Sequence, residues 1–424
     1  MSITPDKSTL EASIPGHLAK YPTPLHIYYE KYLVADARAL EEGLKSTLPN
    51  AELFYSTKTN SLLPILKALL LTGWGLEVVG PQDHARALEA GLTGEKTLLG
   101  GPAWTKPSLE AALFKHGVKS LIIDSHSMAE LLGSVLKSNE KIPKLHIALR
   151  LHEGESHFGF HLSRENFERA WNFLPKEAIA SLGFHIHRNP PGSTRNLEEV
   201  SSDFRFRAKQ VNLALASLEG TLWRSLVQFA DLGGGFDSPF VYRVHPRELS
   251  DFHNPNKAAA FREHKMHTRF SLREMAAEVG REVRAELGIL WEGKRILFEP
   301  GRSVCARALS TLVEVRSVKR DFYPDAQVIL TDGNTAILGP LHRNVHQVFS
   351  SNEGLGAPTF VYGNLPHSGD WLFQNVNLSA QKTGDRLLIR HTGAYFQPLE
   401  ANFGHAKPMV VHANRDEVVR SFPG

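Results

Sequence analysis

Short apolar runs alternate with helical periodicities through the first two thirds of the chain. Pro24–Tyr29 alternates like a strand, and Tyr32–Leu48 spaces Leu33, Ala37, Leu40 and Leu44 along one helical face. The turn signal Pro49-Asn50 then precedes an apolar strand that ends at Lys58. Leu62–Leu71 is helical and is stopped by Gly73-Trp74-Gly75. Further strands are predicted at Leu76–Val79, Thr97–Gly100, Ser120–Asp124, Lys144–Leu151, Ser181–His187, Leu226–Leu232 and Ile296–Glu299. Helical patterns lie between them at Asp83–Ala90, Pro107–His116, Ser127–Leu136 and Phe204–Leu218. This alternation predicts an α/β fold with a parallel sheet and helical crossovers. Roughly eight such units suit a closed (β/α)8 barrel, and a doubly wound open sheet fits the pattern equally.

After Arg302 the pattern changes. Ala306–Val318, Ala326–Leu330, Thr359–Tyr362, Arg386–His391 and Met409–Ala413 predict an all-β C-terminal domain. The stretch 251–270 is poor in apolar residues and reads as a loop on the active-site side or as a solvated excursion.

A length of 424 residues fits two domains, and 42% hydrophobic residues supply a large core. The 48 basic and 45 acidic side chains leave a formal charge of +3, which argues against a dedicated nucleic-acid binder. The single cysteine, Cys305, allows no intrachain disulfide and suggests a cytoplasmic enzyme. Met1–Ala19 lacks the basic start and apolar run of a signal peptide, and no apolar stretch reaches the ~18 residues of a membrane helix. None of the 21 histidines forms a His-Glu-x-x-His or similar pair, so no metal is assigned.

The chemically suggestive residues fall at the predicted C-terminal ends of strands, where both candidate architectures place sites. Lys58 stands in Tyr55-Ser56-Thr57-Lys58-Thr59-Asn60. A desolvated strand-end lysine shifts toward the neutral amine, which forms a Schiff base with a carbonyl. Gly233-Gly234-Gly235 follows an apolar strand and can turn backbone amides toward a phosphate. Phe298-Glu299-Pro300-Gly301-Arg302 joins a carboxylate to a guanidinium suited to phosphate or carboxylate. Gly183-Phe184-His185-Ile186-His187 and Ile147-Ala148-Leu149-Arg150 end two further strands.

Together these segments resemble the pyridoxal 5'-phosphate (PLP) decarboxylases of fold type III, the family of diaminopimelate and ornithine decarboxylase. The resemblance runs from about Pro24 to about Phe403. It implies a TIM-like barrel over residues 36–303, a β domain over 304–424, and an N-terminal strand within 1–35 that joins the β domain. It also implies that Lys58 carries PLP, that Glu299 faces the pyridine nitrogen, and that His187 stacks on the ring. Gly233, Gly234 and Gly235 would hold the phosphate, Arg302 would bind the phosphate or a substrate carboxylate, and Gly301, Glu77, Arg150 and Tyr395 would lie by the cofactor. In the family the segment matching Gly363–Asp370 reaches across a homodimer interface, which makes His367, Ser368 and Asp370 substrate-site candidates along with Asp332, His342 and Arg343.

The sequence also departs from the family. Arg188-Asn189 replaces a Gly-Ser pair, Glu77 replaces Asp, and Ser156-His157-Phe158-Gly159 replaces Ser-Lys-Phe-Gly. Pro366 stands where the decarboxylases have a proton-handling cysteine, and His367 stands where they have an acid. An acid there would suit a distal amine, whereas protonated His342 and His367 with Arg343 favour carboxylates. The expectation is therefore a PLP-dependent α-decarboxylase for an amino acid with a carboxylate-rich far end, such as a citryl-diaminopropionate-like siderophore intermediate. A diaminopimelate, ornithine or lysine decarboxylase is the first alternative. An amino-acid racemase and a cofactor-free regulator are the others.

Overall fold

The computed structural model describes residues 16–102, 104–154, 156–188, 196–265, 270–352 and 354–420. The start of the N-terminal lead-in and Asn189 lie outside the described residues. The strands, in chain order, begin with β1 (Leu25–Tyr28), β2 (Ala51–Ser56), β3 (Gly75–Val78), β4 (Thr97–Leu99), β5 (Ser120–Ile123) and β6 (Leu145–Arg150). They continue with β7 (Ile179–His185), β8 (Val227–Asp231), β9 (Tyr242–Arg243), β10 (Arg295–Phe298), β11 (Leu309–Tyr323), β12 (Ala326–Thr331) and β13 (Asn344–Val345). The last are β14 (Val348–Ser350), β15 (Ala357–Tyr362), β16 (Trp371–Leu378), β17 (Arg386–Ile389), β18 (Met409–His412) and β19 (Val418–Arg420).

Strands β2 to β8 and β10 close into a parallel barrel, β10-β2-β3-β4-β5-β6-β7-β8. Alternate residues face inward, so Phe54, Leu98, Ile122, Ala148, Phe229 and Leu297 fill the interior, while the other faces pack on the helices. Closure depends on two helices. Glu30–Thr47 leads into β2 and Leu272–Leu287 leads toward β10, and β10 pairs with β2. The two helices pack closely through glycine. A Cβ on Gly43 would come within 2.4 Å of the Arg273 carbonyl, and one on Gly280 within 2.3 Å of Thr47 Oγ1. Burial of Leu33, Ala37, Leu40 and Leu44 follows the expected helical spacing. The sequence reading omits helices Leu272–Leu287 and Arg164–Asn172. Their apolar positions are diluted by charged residues, and Ser271 and Ser163 supply N-caps that could have marked them.

The C-terminal part is an all-β domain. A nine-stranded sheet runs β16-β15-β12-β11-β1-β18-β19, with β17 on β11 and β14 on β17. The long β11 ties it together by pairing with β1, β12 and β17. The chain's first strand thus lies between β11 and β18 of this sheet.

The stretch 251–270 is more than a loop. Helices Leu249–Phe252 and Ala258–Lys265 form there, and Phe252 and Arg262 are buried. Just upstream, β9 pairs with β13 and joins this excursion to the β domain. Among the described residues no helix is long and apolar enough to cross a membrane.

Candidate active site

The carboxyl ends of the barrel strands gather the charged groups. Lys58 sits in the single helical turn Thr57–Thr59 that ends β2. It is exposed to solvent, and the charges of Glu77, Glu299, Tyr395 and Arg150 bear on it. Its pKa is raised, because Glu77 first and then Glu299 outweigh the desolvation that opposes them. This corrects the expectation of a desolvated, neutral amine: buried acids hold Lys58 as the ammonium in the cofactor-free chain. Glu77 is buried on β3 and accepts a hydrogen bond from Ser56 at 2.5 Å. Burial raises its pKa to about 7, against the pull of Lys58. Thr57 donates to the Glu77 carbonyl at 2.9 Å and to Asp83, which fixes the turn that presents Lys58. Arg150, the last residue of β6, packs 4.4 Å over the Phe158 ring.

Glu299 follows β10 and is buried against His185, whose Nε2 lies 3.5 Å from its carboxylate. Asp231 ends β8, and the ligand atoms of these three residues lie within 4.8 Å of one another. Two enclosed carboxylates at that distance do not both ionise. Burial first, and then the Glu299 charge, push Asp231 well above the usual carboxylate range. Burial alone would raise Glu299 too, but His185 and Lys58 hold it low, so Glu299 is the ionised member. Desolvation lowers the pKa of His185, whose Nε2 stands 3.5 Å from Glu299 without a formed hydrogen bond. Sequence reasoning missed His185 and Asp231 as site residues. The register, which aligns His185 with Asp231, is what brings them beside Glu299.

The glycine turn is braced from behind. Asp231 Oδ1 accepts from the Gly233 amide at 2.9 Å, and the Gly234 amide donates to His187 Nδ1 at 3.1 Å. His187 is therefore neutral at that nitrogen, and burial with the charges of Lys58 and Arg207 depresses it far below the usual histidine value. Arg207, fully buried, donates to the carbonyls of Leu232, Gly234 and Arg188 and pairs with Asp203. It was also missed, since an arginine four residues after an aspartate on a helix reads as an ordinary surface pair. Arg207→Met should destabilise the chain by about 3–5 kcal/mol in urea unfolding, because three carbonyls lose their buried donor and Asp203 loses one of its two arginine partners, keeping Arg188.

Arg302 lies 4.7 Å over the Tyr395 ring, and burial lowers its pKa to about 10. Tyr395 has φ 68° and donates its backbone N–H to the Thr59 carbonyl at 2.9 Å, beside Lys58. Gly393 permits that approach, since a Cβ there would meet the Cys305 carbonyl at 1.9 Å. A Cβ on Gly301 would likewise meet Thr59 Oγ1 at 2.2 Å. Cys305 is buried, donates to the Gly393 carbonyl, and has its thiol pushed up to about 12 by burial. It supplies no thiolate for the cysteine missing at Pro366.

The residues chosen for the far end of the substrate fare differently. Asp332 accepts from Glu314 N–H, Thr23 and Arg316, and so ties β-domain strands together. Asp370 is buried and accepts from Thr335 N–H and Oγ1 and from Leu365 N–H. Both carboxylates are engaged by donors of their own chain. His342 stacks on Trp371 with ring centres 3.8 Å apart and bonds the Trp371 carbonyl through Nε2. Burial lowers its pKa, so it is not the positive group expected from sequence. Arg343, His367 and Ser368 are exposed, and His367 Nδ1 accepts from the Gly369 amide within its own turn.

A parallel eight-stranded barrel carrying a strand-end lysine, followed by a β domain that borrows the first strand, is the architecture of fold-type III PLP enzymes. The chain belongs to the pyridoxal-dependent decarboxylases: residues 35–306 match the family described as "Pyridoxal-dependent decarboxylase, pyridoxal binding domain". Diaminopimelate decarboxylase of Actinosynnema pretiosum is 26% identical over 416 residues, covering 95% of this chain and 86% of that one. The Bacillus subtilis diaminopimelate decarboxylase is 25% identical over 424 residues, covering 94% and 88%. Among solved structures, M. jannaschii diaminopimelate decarboxylase with L-lysine superposes with a TM-score of 0.78 at 18% identity, covering 95% and 90%. The Vibrio vulnificus lysine/ornithine decarboxylase with putrescine gives 0.71 at 18% identity, covering 96% and 98%. The cofactor of this family is PLP, and the local chemistry fits it. A basic amine, an ionised buried carboxylate with one unpartnered oxygen, and a guanidinium match its aldehyde, pyridine nitrogen and phosphate.

Proposed function

We propose that this PLP-dependent carboxy-lyase removes the α-carboxylate of an amino acid whose far end bears a carboxylate. The observation that carries the reading is Lys58 at the carboxyl end of the barrel, in the field of the buried acids Glu77 and Glu299. Bound PLP supplies an electron sink for the bond broken at the substrate Cα. Lys58 Nζ would hold the cofactor and is placed to move protons at the substrate Cα. Glu299 would face the pyridine nitrogen, with His185 and Asp231, whose pKa is raised, packed behind it. Neutral His187, with one nitrogen committed to Gly234, offers an uncharged ring face. Arg302 would bind the phosphate, while the Gly233 and Gly234 amides are committed to Asp231 and His187.

The substrate class has separate support. Asp332 and Asp370 are taken up by their own chain, so a distal amine finds no free acid from either. The turn Pro366-His367-Ser368 is exposed, which is compatible with the proposed homodimer in which it completes a partner's site. The runner-up is a decarboxylase for an amine-ended amino acid such as lysine or ornithine, which the names of several structural relatives favour. Release of CO2 should be measured from citryl-diaminopropionate, diaminopimelate, lysine and ornithine with purified protein and PLP. Carboxylate-ended substrates should lead in kcat/KM by at least ~10-fold, about 1.4 kcal/mol. A clear lead for lysine or ornithine would replace this reading with the runner-up.

A further inference from the structure

The segment 392–400 of the β domain braces the Lys58 turn. Asn60 Nδ2 donates to the Gly393 carbonyl at 2.8 Å, and the Tyr395 amide donates to the Thr59 carbonyl at 2.9 Å. Arg302 covers the Tyr395 ring. Two residues here hold a strained backbone. His391, just before the segment, has φ 65°, and Tyr395 within it has φ 68°. Residues with a Cβ disfavour that region, and they stay in it only where their surroundings hold them. Phe396 packs in the β-domain core, whereas Pro398 and Leu399 beyond it are exposed.

Both ends of the segment close on one imidazole. His26, on β1, is fully buried. Its Nε2 lies 2.5 Å from Glu400 Oε1, and its Nδ1 lies 2.8 Å from Thr311 Oγ1. Thr311 Oγ1 is in turn 2.8 Å from Thr392 Oγ1. Burial would raise the Glu400 carboxyl, but His26 and Arg420 hold it below its ordinary value, so it is ionised and Nε2 is the donor. The second carboxylate oxygen accepts from Arg420 on β19 at 2.8 Å. The first and last strands thus meet on this segment. Polar side chains lose hydration when buried, and an apolar residue would be cheaper at position 26. Its neighbours Leu25 and Ile27 do join an apolar cluster, with Leu312 and Val411. A buried polar network whose members are engaged fixes one geometry, which apolar contact alone does not.

We propose that His26 is a positioning residue for the cofactor site. It fastens both ends of segment 392–400 and so holds Tyr395 and the Lys58 turn against each other. This rests on the reading of Lys58 as the PLP lysine, and it gives the chain's first strand a part in the barrel's chemistry. His26 itself acts only through Thr392 and Glu400.

Hydrogen–deuterium exchange reads the clamp without the cofactor. In His26→Leu the peptide carrying the Tyr395 amide should exchange at least ~10-fold faster than in wild type, because that amide is the donor to Thr59. PLP should bind this variant ~10-fold more weakly, and kcat should fall by more than KM changes. Val411→Ala is the control. Val411 lies opposite Ile27 in the same sheet, and its truncation should lower the unfolding temperature with neither effect. Thr392→Val removes one arm and keeps the shape. It should give a smaller rise in the same peptide, and it takes the place of His26→Leu if that variant does not fold. Exchange at Tyr395 that stays at the wild-type rate in both variants, or that rises equally in Val411→Ala, would overturn the proposal. So would faster exchange with PLP affinity unchanged. A wild type that binds PLP elsewhere than Lys58 would retire the Lys58 reading, while the exchange rates still decide whether His26 fastens the segment.

Discussion

Lys58→Ala is expected to lose the borohydride-reducible absorbance band near ~420 nm and at least ~10³-fold of turnover, because no other amine can take its place. The expectation comes from where Lys58 stands. It stands at the carboxyl end of β2, where Glu77 and Glu299 both bear on its charge. Its raised pKa adds a pH dependence. Only the neutral amine attacks PLP, so capture of the cofactor by the free chain should speed up as pH rises toward the amine's pKa. Glu77→Gln removes the largest cause of that rise and should move the profile to lower pH. Stopped-flow absorbance across pH checks both. A reducible adduct that persists on a different single lysine in Lys58→Ala would move the cofactor elsewhere.

Glu299→Gln should lower kcat by roughly 10²-fold or more with a smaller change in KM, since it removes a charge aimed at the electron sink and spares the binding groups. The pKa directions also fix the sign of its effect on stability. Glu299 is depressed in the fold, so its contribution is present above the ordinary glutamate value near ~4.3 and is lost as pH falls through the folded value. Asp231 is raised, so it works against the fold as pH climbs above the ordinary aspartate value near ~3.9. Glu299→Gln removes the carboxylate that repels Asp231 and should therefore let Asp231 ionise at lower pH. Urea unfolding of wild type and variant between acid and neutral pH should show the two curves converging as the acid limit is approached. A variant with wild-type kcat would remove Glu299 from the chemistry.

The sequence by itself determined the kind of elements and the chemistry of the strand ends. Strand and helix periods differ, so the alternation of elements was legible, and Lys58, Arg150, His187, Gly233 and Glu299 could be placed at or just past strand termini. Barrel closure was not contained in that pattern. It depends on β10 meeting β2 after two helices pack through Gly43 and Gly280, contacts that join distant segments. The same holds for charge. Sequence identifies an ionisable side chain but not its neighbours, so Lys58 read as a depressed amine, although Glu77 and Glu299 raise it. Asp332 and Asp370 read as substrate ligands, and only the fold shows the backbone and side-chain donors of their own chain that engage them. His342 read as a cation, although Trp371 stacks on it. Arg262 carried no signal in an apparently solvated stretch, and only packing against Phe252 and Phe373 makes it a buried, unpartnered charge. Side-chain type is local information, whereas pKa, burial and hydrogen-bond satisfaction depend on what folding brings within a few ångströms.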